Sequence, residues 1–236
     1  MSPCCSPYSG VAGAHFNEKI AQRDLESYRK KGPGPTARLL RDLLVKAGPI
    51  EGVLLDVGSG VGGLAFELLE HGVGRAIAVD ASSSYLAAAA EEAARRGRAQ
   101  SLLFVQGDFL DVASEVPAAA TVTLDRVICC YPSYEPLLEE SVRHAERLFA
   151  YAYPRDVWYV RTWVAVENLA RQLRRNPFRT FVHSASAMEH VIRRGGFELV
   201  SRSCTRAWCA DVYRHILTEG PFQGEWSDAN TDDDDS

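Results

Sequence analysis

A glycine-rich turn follows the first apolar run of the sequence, residues 53–57. Gly58, Gly60 and Gly62 stand in this turn at alternate positions. Glycine permits positive φ and lets a ligand approach the backbone, and the helix behind such a turn directs its N-terminal amides at that ligand. Gly58, Gly60 and Gly63 also satisfy the dinucleotide fingerprint G-x-G-x-x-G, which is a weak signal alone. The turn therefore predicts a site for a ligand with polar or anionic groups, without identifying it.

Three aspartates at the ends of successive apolar runs narrow the choice of ligand. Asp56 lies inside the end of the first run, where a buried carboxylate is unfavourable without a partner; a cationic amino or sulfonium group suits it, and a pyrophosphate does not. Asp80 closes the second run, where an acid can accept hydrogen bonds from ribose hydroxyls. Asp108 follows the third run and can accept a hydrogen bond from an adenine amino group, with Phe109 beside the ring. Together they favour a cationic adenosyl ligand.

With these residues the chain resembles the class I S-adenosylmethionine-dependent methyltransferases. The matching segments are Leu-Asp-Val-Gly-Ser-Gly-Val-Gly at 55–62, Ala-Val-Asp-Ala-Ser at 78–82 and Gly-Asp-Phe at 107–109, and the resemblance covers residues 36–216. It implies S-adenosylmethionine as the cofactor, with its methionine half at the glycine turn, its ribose on the second acid and its adenine on the third. The cofactor-binding residues predicted in this way are Asp56, Gly58, Ser59, Gly60, Gly62, Asp80, Ala81, Gly107, Asp108, Phe109 and Cys129.

The methyl acceptor is expected beyond the end of the fourth apolar run, where Cys129, Cys130 and Tyr131 precede a proline. Amino-methylating relatives carry Asn/Asp-Pro-Pro-Tyr/Phe at this place, so Cys-Cys-Tyr-Pro argues against an exocyclic nucleic-acid base as acceptor. Cys130 and Tyr131 are candidates for the catalytic site, with a structural role as the alternative. His183 is a third candidate, because a histidine can act as a general base near neutral pH, or else it is a surface residue.

A highly charged segment, residues 16–31, precedes the glycine turn and predicts a helix. The resembling family often uses helices in this position as a lid over cofactor and acceptor. Tyr28, Arg29 or Lys31 near its end could bind the carboxylate of the cofactor, because a cation suits that group, and Lys31 is the residue predicted. A solvated charged helix is the alternative.

Short apolar runs alternate with helix-forming segments between residues 53 and 160, which predicts βαβ units and a parallel sheet. Two final runs, at 197–202 and 207–216, predict an antiparallel hairpin, and an amphipathic helix is predicted over 162–175. The fold class is therefore α/β: a Rossmann-like, doubly wound, seven-stranded and mostly parallel sheet with a C-terminal antiparallel hairpin and an N-terminal helical lid. The predicted parts are an arm and lid helix (1–35), an S-adenosylmethionine-binding methyltransferase domain (36–217) and an acidic disordered tail (218–236).

The composition is that of one ordinary globular domain, with 46% hydrophobic and 24% charged residues among 236. The net charge of −5 is concentrated in residues 219–236, which hold seven acids and no lysine or arginine. The remaining chain is near neutral and lacks the basic surface that nucleic-acid binding requires. No apolar run is long enough to span a bilayer, and no secretory signal is recognisable. We therefore expect a cytoplasmic protein with no nucleic-acid and no membrane partner, and the sequence leaves its oligomeric state open.

The cysteines stand as two adjacent pairs and two single residues: Cys4-Cys5, Cys129-Cys130, Cys204 and Cys209. Adjacent cysteines are poor disulfide partners, so the sequence predicts reduced thiols that serve as small apolar side chains. A four-thiolate metal cluster of the two pairs is disfavoured, because the spacing is not the C-x-x-C of zinc sites, and no metal site is predicted.

The predicted function is transfer of the methyl group of S-adenosylmethionine to a small-molecule acceptor, by in-line displacement at the sulfonium methyl. A carboxyl or hydroxyl oxygen is the first choice of acceptor atom. Three alternatives remain: a nicotinamide-dependent oxidoreductase, which Asp56 disfavours; a protein that binds the cofactor without catalysis; and a thiol or metalloid methyltransferase that uses the paired cysteines.

Overall fold

The computed structural model describes residues 11 and 15–217 of the chain. Within them, seven strands form one sheet in the order β3-β2-β1-β4-β5-β7-β6. β1 to β5 are parallel to one another, whereas β7 is antiparallel to both β5 and β6. This confirms the predicted sheet with its C-terminal hairpin. The strands are β1 (Val53–Val57), β2 (Arg75–Asp80), β3 (Leu102–Gln106), β4 (Ala119–Asp125), β5 (Ala145–Pro154), β6 (Phe197–Cys204) and β7 (Trp208–His215).

Helices flank the sheet, and their starts follow local capping chemistry. Ser82 and Ser184 accept hydrogen bonds from the first turns of α4 and α8. The helix predicted over 162–175 begins earlier, because the chain is extended only as far as Val157 after leaving β5. The described helices are α1 (Glu18–Lys31), α2 (Pro35–Ala47), α3 (Gly63–Leu69), α4 (Ser83–Arg95), α5 (Phe109–Val112), α6 (Glu135–Arg143), α7 (Trp158–Leu173) and α8 (Ala185–Arg194).

The sheet is covered on both faces, as a parallel sheet requires. On one face Phe149 and neighbouring strand residues pack with side chains of α5, α6 and α8, among them Met188. On the other face Leu54 and Ala150 pack with α2 and α3, among them Leu40. Because most side chains inside the strands are apolar, the groups available to a ligand lie at the carboxyl ends of β1 to β4.

The C-terminal hairpin differs from the prediction in one respect. Cys204 and Cys209, opposite each other in the β6–β7 pairing, form a disulfide. The prediction that all cysteines are reduced is therefore wrong at this pair. The two cysteines are five positions apart in sequence, and only the register of the hairpin brings them face to face. Cys4, Cys5 and the acidic tail 218–236 lie outside the described residues.

No helix in the described part of the chain has the length and apolar character needed to cross a bilayer.

Candidate cofactor and acceptor site

A cavity of about 760 Å³ opens at the carboxyl ends of the parallel strands. Most of the predicted site residues line it, namely Asp56, Gly58, Ser59, Gly60, Asp80, Ala81, Gly107, Asp108, Phe109, Cys129, Cys130, Tyr131 and Lys31. The two exceptions among the predicted residues are Gly62 and His183. The fold thus brings together segments from five parts of the chain that the sequence motifs assigned to one site.

The glycine turn has the backbone geometry that its composition predicts. Gly58, Gly60 and Gly62 have φ values of 67°, 55° and 76°. A Cβ on Gly58 would lie 2.4 Å from a methyl carbon of Val127, so this position has no room for a side chain. A Cβ on Gly60 would meet no atom within 4 Å, which leaves its backbone open to the cavity. Gly62 instead serves as the N-cap of α3, behind the turn.

Asp80 is fixed by two backbone amides. Its Oδ2 accepts a hydrogen bond from the N–H of Gly60 at 2.8 Å, and its Oδ1 accepts one from the N–H of Ser82 at 2.8 Å. Burial raises the pKa of Asp80 to about 6, although the two hydrogen bonds act in the opposite direction. The carboxylate is thereby held rigidly, with acceptor capacity left for hydroxyl groups of a ligand.

Asp56 is fully buried beside the glycine turn. Thr123 on β4 donates a hydrogen bond of 2.6 Å to its Oδ1. Burial, together with the charges of Asp125 and Asp80, raises the pKa of Asp56 to about 7, although the Thr123 hydrogen bond acts in the opposite direction. Three carboxyl groups therefore meet at one end of the cavity, and a positive charge on a ligand would stabilise their ionised forms.

Asp108 and Tyr131 form a hydrogen-bonded pair in the lining of the cavity. The Tyr131 hydroxyl donates a hydrogen bond of 2.6 Å to Asp108 Oδ1, which also accepts one from the N–H of Leu110. Burial and the Asp108 charge raise the pKa of Tyr131 well above its usual range. Asp108 Oδ2 is buried and has no hydrogen-bond partner among the described residues. One oxygen is thus committed to the protein, and the other is available to a ligand donor such as an adenine amino group.

Helix α1 covers the cavity, as the prediction of a lid requires. Its residues Ile20, Tyr28 and Lys31 line the cavity. Three side-chain hydrogen bonds join α1 to α4. The Tyr85 hydroxyl donates to Asp24 at 2.8 Å, and Arg29 donates to the buried Glu92 and to Glu91, each at 2.8 Å.

Asp125 ends β4 and also lines the cavity, although no sequence motif singled it out. Its Oδ1 is buried without a hydrogen-bond partner, and the nearest cation, Arg126 Nε, is 3.9 Å away. Burial raises the pKa of Asp125, while Arg126 and the Thr36 hydroxyl lower it. Arg126 has the left-handed φ of 62°, which is uncommon outside glycine and is found at functional sites. Asp125 could have been found in the sequence as an acid at the end of an apolar run, because Asp80 has the same position on β2.

One wall of the cavity is mostly apolar and aromatic, with the charged Glu167 and Arg171 of α7 beside it. Val160, Trp163 and Val164 of α7, together with Phe178 and Trp208, line this side of the cavity. None of these residues belongs to a recognisable motif. They come from parts of the chain that only the fold brings together.

The predicted catalytic residues Cys130 and His183, and the predicted cofactor-binding residue Cys129, each contact backbone carbonyl oxygens. Cys129 is buried, its Sγ lies 3.3 Å from the carbonyl oxygen of Arg126, and Cys130 Sγ lies 3.5 Å from the same oxygen. His183 Nε2 lies 2.9 Å from the carbonyl oxygen of Tyr131, and its ring packs on Tyr134. Burial lowers the pKa of His183. The structure therefore places His183 behind the Tyr131 backbone, outside the set of residues that line the cavity.

The cavity fits the cofactor that the sequence implies. Four of its lining oxygens are buried without a hydrogen-bond partner among the described residues: Tyr28 Oη, Ser59 Oγ, Asp108 Oδ2 and Asp125 Oδ1. Buried polar atoms are rarely left in this state, so their concentration around one cavity indicates a polar ligand. The clustered acids add a preference for positive charge, which a sulfonium and an ammonium group would meet.

No group of three or more His, Cys, Asp or Glu side chains within residues 11 and 15–217 is placed to hold a metal ion.

Residues 54–150 match the family of methyltransferase domains. The chain has no significant sequence match among curated proteins. The matched range runs from β1 through β5 and contains the glycine turn and all four acids of the site.

Solved structures with the same fold are distant in sequence. The magnesium protoporphyrin IX methyltransferase of Synechocystis PCC 6803, solved with bound S-adenosylhomocysteine, aligns with a TM-score of 0.69 at 17% identity, over 88% of this chain and 99% of that one. An O-methyltransferase family 2 protein of Planctomyces limnophilus, in complex with apigenin, aligns with a TM-score of 0.65 at 18% identity, over 83% and 62% of the two chains. The [4+2]-cyclase SpnF aligns with a TM-score of 0.64 at 14% identity, over 91% and 99%. At these identities the likeness establishes the fold alone.

Proposed function

We propose that this chain, a class I S-adenosylmethionine-dependent methyltransferase, methylates a small molecule on an oxygen atom. The observation that carries this proposal is the carboxylate of Asp125. It ends β4, its Oδ1 is buried without a hydrogen-bond partner among the described residues, and it lines the same cavity as the cofactor-binding residues.

The enclosure of the cavity supports a small acceptor. Its volume of about 760 Å³ lies in the range typical of small-ligand sites, about 300–1,000 Å³. Helix α1 covers one side, and the aromatic wall that includes Trp163 and Phe178 closes another. These walls suit an acceptor small enough to fit within the cavity.

The chemistry of Asp125 supports oxygen as the acceptor atom. A hydroxyl group must lose its proton as the new carbon–oxygen bond forms, and a nearby carboxylate can accept that proton. Burial raises the pKa of Asp125, which makes it a better base than an exposed aspartate. The thiols beside it are less suited to activation, because contact with the Cys130 thiol and burial raise the pKa of Cys129.

Each part of the site has a separate task in this proposal. When bound, the cofactor supplies a methyl group that is already activated on a positively charged sulfonium. Asp80 would hold the ribose, Asp108 the adenine amino group, and Asp56 would balance positive charge. Helix α1 excludes water, and the aromatic wall orients the acceptor so that its oxygen faces Asp125.

The cofactor assignment has a direct test. Calorimetric titration of the full chain with S-adenosylhomocysteine should give micromolar binding, and titration with NADH should give none. Binding of NADH instead would make the chain a nicotinamide-dependent enzyme. One structure with this fold is named a [4+2]-cyclase, so cofactor binding alone does not establish methyl transfer. Transfer of the methyl group must therefore be measured as well.

The acceptor class is tested with S-adenosylmethionine labelled in its methyl group. The chain is incubated with separate pools of phenols, carboxylic acids, amines and thiols, and with RNA as a comparison. Label in the phenol or carboxylic acid pool supports the proposal, and alkaline release of labelled methanol distinguishes a methyl ester from an ether. Label only in the amine, thiol or RNA pool would overturn it.

A further inference from the structure

Helix α7 presents a broad apolar surface away from the protein. Its inner side is narrow and consists mainly of Val160 and Val164, which are buried. Because an α-helix turns about 100° per residue, the larger apolar side chains fall within an arc of about 140° on the other side. This outer face of α7 consists of Trp158, Tyr159, Trp163, Val166, Leu169 and Leu173, which are between 39% and 78% exposed.

The exposure is a property of this helix and not of the fold in general. Helix α2 buries Leu40 and Leu44 completely, and α8 does the same with Met188 and Ile192. Nothing in residues 11 and 15–217 covers the outer face of α7 to a similar degree. A contiguous apolar patch of this kind on a protein surface marks an interaction site.

The charges around the patch are positive. Residues 155–179 contain six arginines and two acidic residues, a net charge of +4 in a chain whose total is −5. Arg174 and Arg175 follow directly after Leu173, are exposed, and form no salt bridge with any described residue. Arg161 lies beside the patch, at 2.5 Å from Asp156.

We propose that the outer face of α7 binds the surface of a bilayer that contains anionic lipids. A helix with tryptophan and leucine on one face and arginines at its border has the character of helices that lie in the headgroup region. The rings of Trp158, Tyr159 and Trp163 suit that region, because tryptophan and tyrosine are enriched at membrane interfaces. A second copy of the chain is the less favourable occupant, since it would bring two segments of charge +4 together. The binding is peripheral, which differs from the expectation of no membrane partner that rested on the lack of a spanning segment.

This position of α7 has a consequence for the acceptor. The inner side of the same helix lines the cavity through Val160, Val164 and Glu167, and Trp163 belongs to both the cavity wall and the outer face. Docking would therefore place the α7 wall of the cavity beside the lipid surface, from which an apolar acceptor could enter. This last step rests on the proposed function, whereas binding of α7 to a bilayer does not.

The test is sedimentation of the full chain with vesicles, without cofactor or acceptor. Vesicles of phosphatidylcholine alone are compared with vesicles that also contain phosphatidylglycerol. We expect binding to the anionic vesicles that weakens as salt is added, because screening acts on the arginines. The double variant Arg174→Gln, Arg175→Gln should bind roughly 25-fold more weakly. The control is Lys46→Gln, Arg98→Gln, which removes the same charge from exposed positions elsewhere and should bind as the wild type.

The apolar contribution has its own matched pair of variants. Leu169→Ser, Leu173→Ser should weaken vesicle binding at least roughly tenfold. Leu103→Ser, Leu217→Ser alters leucines that are 48% and 85% exposed away from α7, and should leave binding unchanged. Circular dichroism and binding of S-adenosylhomocysteine show whether each variant remains folded, and the arginine pair tests the proposal independently if the leucine pair does not fold.

Three results would overturn the proposal. One is no binding to anionic vesicles by the full chain. Another is an equal loss of vesicle binding in the control variants, since this would show that the binding does not depend on the outer face of α7. The third is a stable dimer in sedimentation velocity that Leu169→Ser, Leu173→Ser dissociates, without vesicle binding by the wild type; this would identify a second copy as the occupant. Failure of the acceptor screen with intact vesicle binding would reject the proposed function and leave this proposal standing.

Discussion

The two halves of the cavity are built on different principles. The half that would hold the cofactor is made by the glycine turn and by acids at or near the ends of β1, β2 and β3. Its key atoms are backbone amides and carboxylates, such as the two N–H groups that fix Asp80. The half that would hold the acceptor is made by Asp125 at the end of β4 and by side chains of α1, α7, the segment around Phe178 and the β6–β7 turn.

This difference separates what the fold provides from what this particular chain adds. Backbone geometry at the ends of parallel strands is common to the fold, so the cofactor half depends on a few residues at short spacing. The acceptor half depends on apolar side chains, which carry no recognisable spacing. Substitutions in the first half should therefore remove cofactor binding, and substitutions in the second half should alter turnover while cofactor binding persists.

The largest effect is expected from Gly58→Val. The new side chain would collide with Val127 and would also require a strained positive φ, so binding of S-adenosylhomocysteine should fall below detection by calorimetry. Gly97→Val is the matched control, because Gly97 has a φ of 66° and open space around its Cβ position. It carries the backbone strain without the collision and should retain binding. Normal binding by Gly58→Val would contradict the assignment of the turn to the cofactor.

The second effect tests the acceptor half. Asp125→Asn preserves the shape of the side chain but cannot accept a proton, so turnover with the acceptor found in the screen should fall roughly 100-fold to 10,000-fold. Affinity for S-adenosylhomocysteine should change much less. Asp111→Asn, at an exposed position on α5, provides a control for the loss of one charge. Unchanged turnover in Asp125→Asn would remove Asp125 from the chemistry and reopen the choice of acceptor atom.

The third effect is a pH dependence of cofactor affinity that comes from the clustered acids. Asp56, with a pKa of about 7, and Asp80, with a pKa of about 6, bind protons as the pH falls through these values. Each protonation removes a negative charge that a cationic ligand requires, so affinity for S-adenosylmethionine should fall by up to roughly tenfold per pH unit below about pH 7. Calorimetry between about pH 8 and about pH 5.5 measures this change.

The ligand-free protein should show the opposite trend over the same pH range. The raised pKa of each acid means that the folded state binds protons more tightly than the unfolded chain, so stability increases as the pH falls and these groups become neutral. Thr123→Val removes the hydrogen bond that lowers the pKa of Asp56, and should move the loss of affinity to higher pH. Affinity that does not vary with pH would exclude a charge interaction with these acids.

Much of the fold and of the cofactor half follows from the sequence. The alternation of apolar runs and helices predicts the parallel sheet, because this pattern is local and each unit repeats it. Asp80 and Asp108 follow from motifs that span only a few residues. The hairpin register, which brings Cys204 opposite Cys209, depends on pairing across the sheet, and the sequence pattern does not contain it.

The acceptor half depends on contacts that the sequence alone does not predict. The periodicity of α7 predicts two faces, but it cannot predict that the narrow face of Val160 and Val164 is turned inward. His183 has a residue type suited to catalysis, yet its ring nitrogen is directed at the Tyr131 backbone. Asp125 ends an apolar run as Asp80 does, but it matches no motif, and only the pairing of β4 with β1 places it near Asp56. In each case the deciding contact joins residues far apart in the chain.

The smallest effect is expected at Tyr131, which lies where the cofactor half of the cavity meets the acceptor half. Tyr131 was predicted as catalytic, but its hydroxyl donates to Asp108, so Tyr131→Phe should act on the adenine end of the cofactor site. Loss of one hydrogen bond to a charged group should weaken binding of S-adenosylhomocysteine by about tenfold and leave turnover at saturating cofactor nearly unchanged. His183→Ala removes a contact to the Tyr131 carbonyl and should have a weaker effect of the same kind. If Tyr131→Phe instead lowers turnover while binding stays normal, Tyr131 belongs to the acceptor half, and the boundary between the two halves lies on the other side of this residue.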